Sequence, residues 1–369
     1  MKHLMNNPKL YYLRALAIWL TLFCSHNLRS QEQNSYNILS VVFYNVENLF
    51  DTEDNPLTFD DDRTPTGKDV WTQEKYRDKI AKISRVLSEI GTEVAGTAPT
   101  VIGLCELENR EVLEDLISHP NLAAYNYGII HFDSPDSRGV DVGLLYKKGI
   151  FTPVNSVSRR LLFYETEDPS KRVYTRDQLV VSGVLDGDEM HFIVNHWPSR
   201  SGGEAKSSYR REKAAFLNKQ IIDSLYQINP YSKIISMGDF NDDPTNKSFK
   251  KILNTRASKE NLKFQELYNP MEKMLKEGHG TLAYRDSWNL FDQIYMTQAL
   301  TGTDFSGYQF YRAGIFNKAY LVTPGGQYKG YPYRSYGYGG YTGGYSDHFP
   351  VYIYLIKSQS PSSSPGGGG

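Results

Sequence analysis

Nine runs rich in β-branched and aromatic residues punctuate this chain, and several follow one another with no helical stretch between them. A strictly alternating parallel sheet needs a crossover between its strands, so that architecture is a poor fit. The runs "ILSVVFYNVE", "TVIGLCELE", "YGIIHF", "VDVGLLYKK", "QLVVSGVL", "MHFIVNHW", "KIISMGDF", "FDQIYMT" and "FPVYIYLI" fit two mixed sheets packed face to face, with helices outside. Helical spacing predicts the covering elements. Tyr76, Ile80, Ile83, Leu87 and Ile90 form one apolar stripe after Thr72. Ala214, Leu217, Ile221 and Leu225 form a second, and a shorter helix is expected around Val112, Leu113 and Leu116. No internal repeat or central linker divides the chain, which predicts one domain over residues 31–357.

The ends differ in kind. Lys2, Lys9 and Arg14 precede the apolar run "ALAIWLTLFC", which gives way to the polar "SHNLRSQEQ". A basic segment followed by an apolar run too short to span a bilayer comfortably reads as a secretion leader, here residues 1–30, cleaved near Ser30. An uncleaved anchor is the alternative. Lipoprotein processing at Cys24 is disfavoured by the bulky Phe23 before it. Export places the protein in a periplasm or outside the cell. Residues 358–369, "SQSPSSSPGGGG" and its preceding Lys357 boundary, read as a flexible Ser/Pro/Gly tail.

Removing residues 1–30 takes away four basic side chains and no acids, leaving 37 basic against 42 acidic and a net charge of −5. Such a chain has no global attraction for polyanions, so a phosphate-bearing ligand must be held by local groups or a metal. Only Cys105 remains of the two cysteines, which excludes an intramolecular disulfide and reads as a small buried hydrophobe.

Six strand edges carry Asp, Glu, Asn or His: Asn45 and Glu47, Glu106, Asn195 and His196, Asp239 and Asn241, Asp292, and Asp347 with His348. Singly, each has an ordinary explanation, since Asp-x-Asn after a strand is turn chemistry and a strand-end His is often a core residue. Glu106 is harder to dismiss, because an unpaired carboxylate at the mouth of an apolar strand is costly to bury. If the six ends share one rim, they supply carboxylates, amides and two imidazoles. Oxygen-rich donors suit a hard divalent cation, Mg²⁺ before Mn²⁺ or Ca²⁺, and zinc would want more His or Cys. Imidazoles beside carboxylates suit phosphoryl transfer, which needs donors on the phosphate oxygens and a group to position the attacking water.

With these edges in view, "GDFND" together with the later "SDH", and "NVENLFD", "CELEN", "SRGVDVGLLY", "NHWPSR" and "WNLFDQI" in order around them, resemble the endonuclease/exonuclease/phosphatase superfamily across residues 38–356. The resemblance implies a four-layered α/β sandwich and metal-assisted attack of water on phosphate. It implies Glu106 as principal metal ligand, with Asn45 beside it and Asp347 completing the set. Asp239 would orient or deprotonate water, and Asn241 would hold a phosphate oxygen. His348, oriented by Asp292, and His196, partnered by Asp141, would donate to the phosphate from two sides, and Arg176 would approach its backbone. Glu108 and Asn109 stand where DNA-cutting relatives often carry a basic residue, a place Arg110 could fill.

The leading expectation is therefore an exported Mg²⁺-dependent nuclease with little sequence preference, its substrate a nucleic acid gripped in part by Arg200, Lys206, Arg210 and Arg211. A phospholipid, sphingomyelin-like or small-molecule phosphoester is the alternative substrate, and an inactive binding module is the third reading. The Tyr/Gly-rich stretch 328–345 could stack on bases, lie on a membrane or form a rigid surface loop. No stable protein partner is implied.

Overall fold

The structure, a computed structural model, describes residues 35–164, 168–337 and 340–359. The leader expected over 1–30 and all but the first two residues of the expected tail lie outside the described residues. Residues 37–357 form one body.

Its main strands, in chain order, are β1 (Tyr36–Leu49), β2 (Val101–Leu107), β3 (Tyr127–His131), β4 (Asp141–Lys147), β5 (Phe151–Arg159), β6 (Gln178–Leu185) and β7 (Asp188–His196). They continue with β8 (Ile234–Asp239), β9 (Thr255–Arg256), β10 (Leu267–Tyr268), β11 (Asp292–Thr297), β12 (Gln309–Ile315) and β13 (Val351–Ser358). One sheet has the order β12-β13-β1-β2-β4-β3, the other β9-β10-β11-β8-β7-β6-β5. Both are mixed: β1 runs parallel to β2 and β7 to β8, while β4 and β11 run antiparallel to β2 and β8. All nine expected strand runs are present. Two edge strands, β5 (FTPVNSVSR) and β12 (QFYRAGI), fall outside those nine runs, being more polar and only partly buried.

Alternation along the strands builds the layers. Val41, Phe43, Val101, Cys105, Val142 and Leu144 of the first sheet meet Phe192, Val194, Ile235, Met237, Ile294 and Met296 of the second in one central core. The intervening residues Val42, Tyr44, Ile102 and Leu104 face outward, onto helices α1 (Gln73–Glu89) and α2 (Arg110–Ser118). On the far side Ile193, Ile234 and Tyr295 meet Ala214 and Ile221 of α3 (Glu204–Ile228). Helix, sheet, sheet, helix make the four-layered sandwich. Thr72 caps α1 by accepting from Lys75 N, and Asn109 caps α2 by accepting from Val112 N at 3.0 Å. No helix among the described residues is long and apolar enough to cross a membrane.

Lys147, at the end of β4, gives a stability prediction. Its ammonium donates to Thr97 Oγ1 at 2.7 Å and Ala98 O at 2.6 Å and has no carboxylate partner among the described residues. Burial lowers its pKa from 10.5 to about 8. Below pH 8 the lysine is charged in both folded and unfolded chains, and the cost of burying the charge is present in full. Between pH 8 and 10.5 the unfolded chain binds more protons, so this group's contribution to stability rises with pH. In urea unfolding, wild type should gain on Lys147→Met by about 1–2 kcal/mol between pH 7.5 and 10.5, less than the full shift because solvent screens part of the charge. A difference that stays flat over that range would rule this out.

Candidate active site

The alternation that fills the central core also delivers the polar rim. Asn45 continues the inward series of Val41 and Phe43, His196 that of Phe192 and Val194, and Asp239 that of Ile235 and Met237. Asp292 has the parity of Ile294 and Met296. Register then sets them side by side: Asp239 pairs with His196 on β7 and with Asp292 on β11. Gly238 permits the close approach of β7, since a Cβ there would lie 2.5 Å from Asn195 O. Asn195 itself has outward parity and is spent on structure, bonding Ser236, Met237 O, Trp197 and Asn218.

Glu106 breaks the pattern. Following inward-facing Cys105, it should point at the helices, but the β2 register shifts between Cys105 and Leu107 and Glu106 takes φ +61°. That uncommon backbone turns its carboxylate toward the rim. Glu47 and Asn48, at φ +49° and +54°, bulge β1 at the same level, and Asn48 N donates to Glu106 Oε2 at 3.1 Å. Asn45 Nδ2 joins the two sheets, donating to Glu106 Oε1 at 3.3 Å and Asp239 Oδ2 at 3.1 Å.

The two imidazoles differ electrostatically. Burial pulls the His348 pKa down, but Asp292, 2.6 Å from its Nδ1, with Asp239 and Asp347, more than reverses this and holds it well above the usual value. His196 is driven well below it by burial, with Arg176, Arg138 and His348 adding repulsion. Its Nε2 lies 3.7 Å from both Glu106 and Asp239. Burial, with repulsion from Asp292 and Glu106, raises Asp239 from 3.8 to about 6 against the opposing attraction of His348. A buried carboxylate thus stands between a charged and a neutral imidazole.

The sequence profile described as the Endonuclease/Exonuclease/phosphatase family matches residues 40–357. The chain belongs to the endonuclease/exonuclease/phosphatase family. It is a metal-dependent phosphoester hydrolase of that family. Among similar solved structures, an endonuclease/exonuclease/phosphatase family protein from Bacteroides thetaiotaomicron is 20% identical, covering 88% of this chain and 100% of its own, with a TM-score of 0.53. A mannosyl-6-phosphatase from the same organism is 20% identical over 86% of this chain and 99% of its own (TM-score 0.52). D. rerio TDP2 complexed with a single-strand DNA product is 15% identical over 86% and 98% (TM-score 0.51). Likeness at this level shows the shared fold. Comparison with curated proteins gives no significant match.

The donor set suits a hard cation. Glu106, Asp239 and His196 each offer a ligand atom within 4.8 Å of the others, and two carboxylates brought this close suit a divalent ion. Asn45 is placed differently from a simple oxygen ligand. Its Oδ1 accepts Glu47 N at 2.9 Å, which turns its amide nitrogen toward the carboxylates. Asp347 stands 4.0 Å from His348 Nε2 and is about a third exposed (35%).

Several expectations need correction. Asp141 does not partner His196: it accepts from Ser134 N at 2.7 Å and pairs with His131 Nε2 at 3.0 Å. The reason is sheet order, since β4 lies between β2 and β3, whose last residue is His131, whereas His196 is in the other sheet. Arg176 is buried, bound to Asp136 at 2.9 Å and Trp197 O at 2.8 Å, so it sets the surroundings of His196 rather than reaching out. Arg110 lies exposed on α2, paired with Glu114. Arg211, expected to grip phosphate, is fully buried against Asp242 at 2.6 Å. Arg200 is held by Asn241 O and Asp243. Asn241, at φ +51°, donates Nδ2 to Trp197 O at 3.0 Å and its N–H to Asp239 Oδ1 at 3.0 Å.

Sequence reasoning gave no role to Lys79 or Arg334. Lys79 sits on the apolar stripe of α1, three residues after Tyr76 and four before Ile83, and a lysine at such a place is a readable anomaly. It is fully buried and donates to Glu47 O at 2.6 Å and to Ser335 Oγ.

Proposed function

We propose that this hydrolase is an exported, Mg²⁺-dependent phosphodiesterase that cleaves nucleic acid with little sequence preference. The observation that carries the reading is the buried Asp239 flanked within 4.0 Å by two imidazoles, His348, held by Asp292, and His196. Hydrolysis of a diester must both activate water and stabilise charge on the phosphate and leaving group. Asp239 accepts the proton of the attacking water or fixes its orientation. His348, held by Asp292, donates to a non-bridging phosphate oxygen, His196 approaches from the other side of Asp239, and Asn241 keeps one amide hydrogen for the phosphate. Glu106, with Asp347 and the Asn45 amide beside it, would hold the cation, which when bound supplies positive charge for the phosphate oxygens. Export is supported by the composition of residues 1–30.

A second reading keeps the chemistry and takes a small phosphoester. It is favoured by the cations near the site: Arg138, Arg176, Arg200 and Arg334 each face a carboxylate, which leaves no evident track for a long polyanion. The deciding experiment incubates the protein with supercoiled plasmid, bis(p-nitrophenyl) phosphate and a sugar phosphate, in Mg²⁺ and in EDTA. Plasmid nicking in Mg²⁺ that stops in EDTA is expected. Release of phosphate from the sugar ester with intact plasmid would overturn the nuclease reading in favour of the second.

A further inference from the structure

The Tyr/Gly-rich stretch is not a loose platform. Ser335 N donates to Glu47 Oε2 at 2.5 Å and Tyr336 N to Glu47 Oε1 at 3.5 Å. Lys79, from beneath, reaches Ser335 Oγ and, at 3.4 Å, Tyr345 O. Tyr336 and Tyr341 lie against Trp71, both at 5.7 Å between ring centroids, and Arg63 stands over the Tyr336 ring at 4.7 Å. The returning strand crosses close behind Arg334, where Gly344 leaves room: a Cβ there would sit 2.0 Å from Arg334 O. Lys79 meets the main-chain oxygen of Glu47 and not its carboxylate, so this cluster is a set of hydrogen bonds rather than a close ion pair. Its effect here is geometric, fixing residues 334–336 against β1 at the level of the bulge that also sets Asn45 and Asn48.

What that anchor presents is Arg334. Its guanidinium is half-exposed (51%), with Nη2 3.0 Å from Asp347 Oδ2 and Nε 3.6 Å from Glu47 Oε1. Among the described residues Nη1 meets no acceptor. Asp347 therefore lies between two cations, His348 Nε2 at 4.0 Å from one oxygen and Arg334 at 3.0 Å from the other. An anion entering beside Asp347 is met by imidazole from one side and guanidinium from the other. A planar fork with a free edge is the group best matched to two oxygens of one phosphate.

We propose that Arg334 is a substrate-binding residue that grips the phosphate of the ester opposite His348, and that the Tyr/Gly-rich loop, clamped by Glu47 and Lys79, is the arm that holds it there. This rests on the reading that the site takes a phosphoester, whichever ester that is. Arg334 binds ground state and transition state alike, so its loss acts on KM rather than kcat.

The test compares wild type, Arg334→Gln and Arg334→Lys. One measurement is hydrolysis of bis(p-nitrophenyl) phosphate in Mg²⁺. The other is the concentration of inorganic phosphate needed to raise the melting temperature, with and without Mg²⁺. Arg334→Gln should raise KM about ten-fold, leave kcat within about two-fold, and weaken the effect of phosphate by a similar factor. Arg334→Lys should fall between, keeping the charge without the fork. Unchanged KM and phosphate response in Arg334→Gln, with only a lower melting temperature, would make Arg334 a structural counter-ion of Asp347 and Glu47 and overturn the proposal. A wild type that neither hydrolyses the diester nor responds to phosphate would overturn the phosphoester reading beneath it.

Discussion

Asp239→Asn is expected to lower kcat by about a thousand-fold or more while leaving the fold intact. Asn45 Nδ2, from the first sheet, donates to one oxygen of this carboxylate and Asn241 N, just past β8, to the other. An asparagine offers one acceptor and two donors, so it cannot satisfy both neighbours, and its NH₂ would face an N–H on one side. It cannot take a proton from water at any working pH. It also removes one of the three negative charges that hold His348 protonated. A positioned base alone contributes about 10² to 10⁴ in rate, and the weakened imidazolium adds to the loss. Stability moves the other way. Burial already pushes Asp239 up to about 6, so a neutral side chain relieves repulsion from Asp292 and Glu106. Single-turnover rates on a phosphodiester, read beside melting curves, check both halves. Activity within ten-fold of wild type in a folded Asp239→Asn protein would remove Asp239 from the mechanism.

The reach of the sequence here has a physical basis. Period-two alternation is a local property, so the strands, their inward faces and the rim positions of Asn45, His196, Asp239 and Asp292 could be read without coordinates. Glu106 was found for the opposite reason: it stands out as a carboxylate beside an apolar run, although only its backbone at φ +61° shows how it reaches the site. Sheet order and register are not local, and that is where inference failed. Asp292 holds His348 across the two sheets, as the resemblance implied, but Asp141 holds His131 of the adjacent β3 and not His196. Charge pairing was equally hidden. "SSYRREK" cannot say that Arg211 inserts beneath Asp242 of "DFNDDP", nor that Arg176 closes on Asp136. The Tyr/Gly-rich stretch left three readings open because its anchor, Glu47 and Lys79, lies nearly 300 and more than 250 residues away in sequence.

The Asp292→Asn variant tests whether His348 works as a dyad with its carboxylate. Asp292 is fully buried, one oxygen lies 2.6 Å from His348 Nδ1, and the other has no hydrogen-bond partner among the described residues. Such a carboxylate is costly to keep, so its retention must serve the imidazole. In wild type it fixes the ring's orientation and, with Asp239 and Asp347, raises its pKa against the opposing effect of burial. With Asn at 292 the ring loses its main stabilising charge, and its pKa falls. The charged, donating form is then lost as pH rises through the lowered value, so activity should fall further behind wild type at pH 8 than at pH 5.5. At pH 7.5 a loss of about 10² to 10³ in kcat is expected, with KM little changed. The decisive measurement is the double variant. If Asp292 acts only through His348, then Asp292→Asn combined with His348→Ala costs no more than His348→Ala alone. Losses that multiply would mean that Asp292 acts on the site by a separate route, most simply through Asp239, its direct partner across β8 and β11.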